Sequence, residues 1–523
     1  MREVVTVQAG KEANWVGAYF WALQEQQQYG EGGQDTAAAS SVLYESPARS
    51  GAVAPRALLF DAPEAFNPFR AIDQGGGDEE EEGNGPAARA AALTWGGGVD
   101  VHLQQQQQAW QGRVVMNGGS GSAADSPSTW AEAWHGLHSW PQLARHCVAH
   151  ISGSSSSNSS NSSSAEGSGW SDERGGDQLR RLLEGCDAPQ GAHVLVDLCG
   201  PWLGYGVGAA EEWGEEVGGG GLACLALHRS GQEGPGKGRN ESWRLVAAAL
   251  GVHRLLETGA LLLPLGVEQS TQQGHQEEQR ARQAVALAAA SGVYVRGGGC
   301  HMLEWTRGLR SGSNNGLASL ELGFPFPPPG RGPAALSALL QPSDPRGVLS
   351  TAAAPPSSGL LSHLLPLTPG APDRRRLRRI SGAVSLYHHP GGGARADVLG
   401  SLNDAAMFYP WFQPHLNYAE PRPLPVRCWP FPPAWHATEA DSAGEAGMDD
   451  GTIPAGYGAL ALVGCTSLTL PFLHELSGAL RGRGPGITTR LREKRGLLDE
   501  DVAEVEENLE QILMPFEEEA ERG

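Results

Sequence analysis

The sequence predicts an α/β protein: a parallel sheet flanked by helices over residues 1–285, a smaller α+β unit over 286–330 and 380–475, and a helical C-terminal region over 476–523. Two observations carry this prediction. Apolar runs of strand length alternate with stretches of helix length through the first half of the chain. A Pro-, Ser- and Arg-rich stretch over 331–379 then separates that half from a set of further strand-like runs.

Taken in order, strands are expected at 3–7, 57–60, 193–198, 222–227 and 261–265, and helices at 11–25, 177–184, 209–216 and 244–257. Sequential strands joined by helical crossovers pair in parallel, with helices on both faces of the sheet. Beyond residue 285, Val293-Tyr294-Val295 reads as a strand, 302–310 as a short helix and 319–326 as a strand, with 330–372 a linker or long loop. Residues 381–388 and 460–463 read as strands of a second sheet. Asp499 starts a helix in which Val502, Val505, Leu509, Ile512 and Leu513 share one stripe, and Glu517 to Glu519 solvate its tail.

The 523 residues set a prior of about three domains. Glycine (73) and proline (36) make up about one residue in five, above the usual share. Tracts near 74–90, 104–128 and 151–172, which include GGGDEEEEGNG, a glutamine run and a Ser/Asn/Gly run, cannot bury enough apolar surface to order themselves and read as disordered insertions. Thirty-eight basic against 59 acidic side chains give a net charge of −21, which argues against nucleic acid as a partner. The seven cysteines are scattered and nowhere closer than thirteen residues, so neither a disulfide framework nor a CxxC site is indicated. Met1-Arg2-Glu3 runs straight into Val4 to Val7, so no leader is expected. Residues 457–473 are apolar but short and broken by Gly458, Gly464 and Pro471, and read as a buried strand and turn rather than a membrane span.

Three stretches carry candidate chemistry. The segment His193-Val194-Leu195-Val196-Asp197-Leu198 followed by Cys199-Gly200-Pro201-Trp202-Leu203-Gly204-Tyr205-Gly206-Val207-Gly208 is a strand, a glycine-spaced turn and a helix start. Such a turn presents backbone N–H groups to a phosphate, or is simply tight. It lacks the Lys-Ser/Thr of a P-loop. His135, His138, His146, Cys147 and His150 form a second cluster, in which His146 and His150 would share a helix face and hold a metal, or else pack with Trp130, Trp134 and Trp140. Arg374 to Arg379 place five cations in six residues, suited to an anionic lipid surface, an acidic partner or plain solvation. No GxSxG or HExxH motif supports nucleophilic or metal-dependent hydrolysis.

Several segments together resemble one family. Met1 to Gly10 with Asn14, Gly17 and Phe20-Trp21 resembles the opening strand and helix of tubulin, and Pro55-Arg56-Ala57-Leu58-Leu59-Phe60-Asp61 resembles the tubulin strand ending in an acidic residue near the nucleotide's metal. Cys186-Asp187 and Gln190-Gly191 resemble tubulin's run into its phosphate loop. Residues 130–142, the 186–212 block, Leu250-Gly251-Val252-His253 and Asp501-Val502-Ala503-Glu504 are similar to the Misato family of tubulin-like proteins.

The resemblance implies a tubulin/FtsZ-like fold with a Rossmann-like first domain, and a degenerate nucleotide pocket formed by Gly10, Asn14, Asp61, Gly204, Gly206 and Gly208. The chain departs from tubulin at four places. Lys11-Glu12 stands where tubulin has Gln-Cys, and Gly200-Pro201-Trp202-Leu203 interrupts the phosphate loop. Leu263-Pro264 falls near tubulin's base-binding Asn, and Met302-Leu303-Glu304-Trp305 lacks the Asn-x-Asp of the polymerising forms. What the resemblance implies is therefore a non-enzymatic factor in mitochondrial distribution, morphology and inheritance, with no catalytic residue, no metal, and at most weak or structural GTP binding. Its expected place is the cytoplasm or the periphery of the mitochondrial outer membrane, with outer-surface or cytoskeletal proteins, tubulin or chaperonin as partners. The rival readings are a GTP-binding polymerising GTPase and a cytosolic tubulin- or chaperonin-associated spindle factor.

Overall fold

A computed structural model describes residues 2–29, 42–45, 54–61, 147–149, 174–198, 200, 202–218, 220–229, 239–267, 273–295, 301–310, 316–326, 364–370, 379–387, 412–416, 458–483, 487–489, 491–492 and 498–521. Strands β1 (Glu3–Ala9), β4 (Ala57–Asp61), β5 (Cys147–Ala149), β6 (Pro189–Asp197), β7 (Gly221–His228) and β8 (Leu261–Gly266) form a sheet in the order β5-β4-β1-β6-β7-β8. Every pairing in it is parallel. A small antiparallel pair, β2 (Tyr44–Glu45) and β3 (Ala54–Pro55), precedes β4.

The first domain is α/β and Rossmann-like, as expected. Its strands read as continuous apolar runs because both faces are covered. On one face lie α1 (Lys11–Tyr29) and α5 (Gln273–Val295). On the other lie α2 (Arg174–Glu184), α3 (Trp202–Val217) and α4 (Arg239–Glu257). From Trp15 to Leu23 helix α1 is apolar all round because it is sandwiched between the sheet and α5. Leu250-Gly251-Val252-His253 is a working part of α4: Gly251 leaves room for Leu203 of α3, and His253 Nε2 lies 2.8 Å from Asn508 Nδ2.

The second sheet has the order β10-β9-β13-β11-β12, from β9 (Ser319–Phe326), β10 (Leu365–Pro366), β11 (Arg379–Tyr387), β12 (Phe412–Leu416) and β13 (Gly458–Thr466). It is antiparallel except for β11 with β12. Helix α5 runs past residue 285 and packs between α1 and this sheet, so the expected boundary falls inside one continuous helix. After β13 a 3-10 turn (Ser467–Thr469) leads into α7 (Leu470–Arg481), which packs on α4 with the terminal α8 (Asp499–Glu521). The described part of the apolar run, 458–473, is thus a strand, a turn and a helix start. No helix among the described residues is long and apolar enough to cross a membrane.

Four local expectations are corrected. Val293-Tyr294-Val295 ends α5 instead of forming a strand: its β-branched residues are buried against the core beside Trp305 of α6 (Met302–Arg310). Helix α3 begins at Trp202, seven residues before the expected 209, so Gly204, Gly206 and Gly208 lie in its first turns and not in a loop. Within the expected linker, Leu365–Pro366 pairs with β9. Cys147–Ala149, between the two histidines expected on one helix, is a strand beside Leu59 to Asp61. The four histidines of that cluster lie outside the described residues, as do the three predicted insertions and Arg374 to Arg378.

Glycine contacts separate packing from conformational roles. A Cβ on Gly221 would meet the backbone of Met302 and Leu303 at 2.6 Å, whereas one on Gly204 would meet nothing within 4 Å. Gly221→Ala is expected to destabilise the fold by about 2 kcal/mol or more. Gly204→Ala, in a helix at an open position, is expected to stabilise it by about 0.5 to 1 kcal/mol. Urea unfolding of the two variants checks both signs.

Candidate functional site

In an open parallel sheet, ligands bind where neighbouring strands send their helices to opposite faces, because the two connections diverge and leave a crevice at the strands' carboxyl ends. That condition holds between β1 and β6. The helix after β1 lies on one face and the helix after β6 on the other. Four adjacent strand ends meet there: Gly10 after β1, Asp61 closing β4, Asp197 closing β6 and Arg229 after β7.

Gly10 turns the chain from β1 directly into α1. Its φ of +106° lies in the left-handed region, and a Cβ would stand 2.6 Å from the Asp197 carboxylate. The first helical bond runs from Asn14 N to Gly10 O at 2.9 Å, which leaves the amides of the first turn without partners inside the helix. Asp197 supplies them: Glu12 N donates to Oδ2 at 3.1 Å and Ala13 N to Oδ1 at 2.9 Å. A carboxylate from a strand 185 residues away in sequence thus caps α1.

Next to it, Glu12 accepts from Arg280 Nε of α5 and from Arg229 Nη2, both at 2.8 Å. Arg280 also lies over the Trp15 ring at 4.8 Å. Burial pushes the Glu12 carboxyl up, but the hydrogen bond and charge of Arg280, with Arg229 and Lys11, outweigh it and hold Glu12 below its usual range. Asp197 moves the other way. Burial, then the Glu12 charge, push it up to about 7 against the amide bonds and Arg229. On the far side Asn14 Nδ2 donates to Phe60 O at 3.0 Å and to Asp61 Oδ2 at 3.2 Å, while its buried Oδ1 has no partner among the described residues.

Residues 2–114 match the model of the Misato Segment II tubulin-like domain. That segment, about a fifth of the chain, is similar to the tubulin-like domain of the Misato family. No curated protein matches it.

The crevice brings together three of the residues named from sequence: Gly10, Asn14 and Asp61 share it. The three helical glycines divide differently. A Cβ on Gly206 would press on Val196 at 2.7 Å, so this glycine serves close helix–strand packing; Gly204 is open, and Gly208 is buried inside α3. Cys186, Asp187 and Gln190 lie at the opposite end of the sheet. There Ala188 N donates to Glu3 Oε2 at 2.8 Å, and Gln190 Nε2 to Arg2 O at the same distance. Met302 of α6 packs on Gly191 at that same end, and Pro264 sits inside β8.

A polyphosphate at the head of α1 needs the Glu12 and Ala13 amides, which Asp197 takes, and a nearby free cation, while Arg229 and Arg280 are both held by Glu12. In this arrangement the head of α1 offers neither of those two amides to a phosphate. Sequence reading missed Asp197, Arg229 and Arg280 as site residues. The available signal was an acidic residue ending the apolar run Val194-Leu195-Val196, where a charge meets a buried strand end. Among the described residues no group of His, Cys, Asp or Glu is arranged to hold a metal ion.

Two predictions follow from the ion pairs and the titrating groups. Removing Glu12 strands the buried Arg280 guanidinium, so Glu12→Ala is expected to cost about 3 kcal/mol or more in urea unfolding. Arg229→Ala, whose side chain is half-exposed, is expected to cost under about 1 kcal/mol. The second concerns pH. Folded Asp197 keeps a proton between its ordinary 3.8 and about 7, so its contribution to stability falls as pH rises through that window. His193, buried in β6 with Nε2 2.6 Å from Tyr294 Oη, is pushed down by burial from 6.5 to about 3, so its contribution rises with pH between those values. The slopes oppose, each at most about 1.4 kcal/mol per pH unit. Asp197→Asn is therefore expected to lose stability more steeply on acidification from pH 6.5 to 4.5 than the parent, as read by unfolding free energy at each pH.

Proposed function

We propose that this chain is a tubulin-like factor acting in mitochondrial distribution, morphology and inheritance without turning over GTP. The mitochondrial role comes from the family resemblance. The non-enzymatic part is supported above all by one observation: the amides at the head of α1 are held by Asp197. Hydrolysis needs a phosphate held in line with an attacking water, and a carboxylate in the phosphate's place repels it. The protein acts in the cytoplasm and peripherally at the mitochondrial outer membrane. There it meets outer-surface or cytoskeletal proteins, with tubulin and chaperonin the first candidates to test.

The reading of the chain as a GTP-dependent polymerising GTPase draws on Asp61 and Asn14, which stand at the same crevice. Purified full-length protein is expected to release no phosphate from GTP above background and to stay in the supernatant on centrifugation with or without GTP. Depleting it from the cells that make it is expected to collapse or fragment the mitochondrial network before spindle defects appear. Steady GTP turnover or nucleotide-dependent sedimentation would establish the rival, and spindle failure with a normal mitochondrial network would favour a tubulin- or chaperonin-linked role.

A further inference from the structure

We propose that Asp197 is a built-in plug, a carboxylate occupying the head of α1 in place of an external anion and closing the β1–β6 crevice to phosphate groups in the native chain. The proposal rests on the reading of the protein as a factor that does not turn over GTP, and goes beyond it by naming what keeps the crevice shut.

Three independent observations converge on it. The crevice lies at the switch point of the sheet, where α1 and α3 leave to opposite faces. At that point the amides of Glu12 and Ala13 converge on a single carboxylate, the geometry by which helix N-termini bind anions. Gly10 is closed to a side chain by the same carboxylate, with Cγ and Oδ2 each 2.6 Å from where a Cβ would stand. The backbone therefore approaches the anion as closely as a glycine-lined cradle approaches a ligand.

The charges around the plug are balanced internally. Glu12 on α1 repels Asp197 and binds Arg280 of α5 and Arg229 beyond β7, while Lys11 on α1 is exposed to solvent. Two carboxylates thus stand against the two guanidiniums that would otherwise face an incoming phosphate. Burial and the Glu12 charge raise the proton affinity of Asp197, so its ionised form is held at a cost that loss of the side chain would relieve. Removing the carboxylate frees two aligned amides, with the half-exposed Arg229, still paired with Glu12, next to them.

The test uses full-length protein and two probes, inorganic phosphate and GTP, in equilibrium dialysis. Wild type is expected to bind neither saturably, and Asp197→Ser to bind phosphate at least tenfold more tightly than wild type. Adding Arg229→Ala to Asp197→Ser is expected to weaken that gain severalfold. Folding of each variant is checked by circular dichroism and a urea melt. A folded Asp197→Ser protein that binds no more phosphate than wild type overturns the plug and leaves the functional reading untouched. Steady GTP turnover by wild type overturns both. Should Asp197→Ser fail to fold, the wild-type melting temperature decides: no shift is expected in phosphate relative to chloride at equal ionic strength, and a phosphate-specific rise overturns the proposal.

Discussion

The arrangement of this molecule depends on how the first turn of α1 is satisfied. A helix that starts inside a protein exposes unpaired amides, and burying them without partners costs more than most single contacts return. Here the partner is a carboxylate at the end of the neighbouring strand, so β1, β6 and α1 are fixed by one group. The requirement propagates: Gly10 must lack a side chain, residue 197 must accept from two amides, and Glu12, placed beside Asp197, needs cations of its own. Arg280 answers from α5, which ties the crevice to the helix on which the second sheet packs.

Much of the architecture was legible because it follows from burial. The strands of the first sheet are apolar on both faces and stand out from polar surroundings, and the stripe of Val502, Val505, Leu509 and Leu513 identifies the terminal helix that buries it. The misreadings share a cause: local composition was outweighed by tertiary context. Val293 to Val295 has the residue types of a strand but completes a long helix, because α5 continues to bury its side chains. The glycines after Trp202 read as a loop, yet α3 incorporates them, since Gly206 lets the helix approach Val196 more closely than any side chain allows.

The site was half legible for a related reason. Gly10, Asn14 and Asp61 were identified through short-range motifs, and the fold does bring them to one place. Glu12 stands out in the sequence as a departure from tubulin, but its partners lie 217 and 268 residues away and belong to no motif. Charge complementarity between distant elements leaves no periodic trace in a single sequence. Asp197 was in view as part of a strand end, and its role emerged only once β6 was seen beside β1. The Cys186 to Gly191 run, read as the approach to the glycine turn, leads into β6 and anchors the end of the sheet away from the crevice.

The two arms of the Glu12 clasp differ in their exposure to water. The Arg280 side chain is 9% exposed and that of Arg229 is 45% exposed. Dissolved ions screen the outer contact and scarcely reach the inner one. Ionic strength therefore divides the clasp into a part that loosens in concentrated electrolyte, at the β7 end, and a part that holds α1 to α5 under the same conditions.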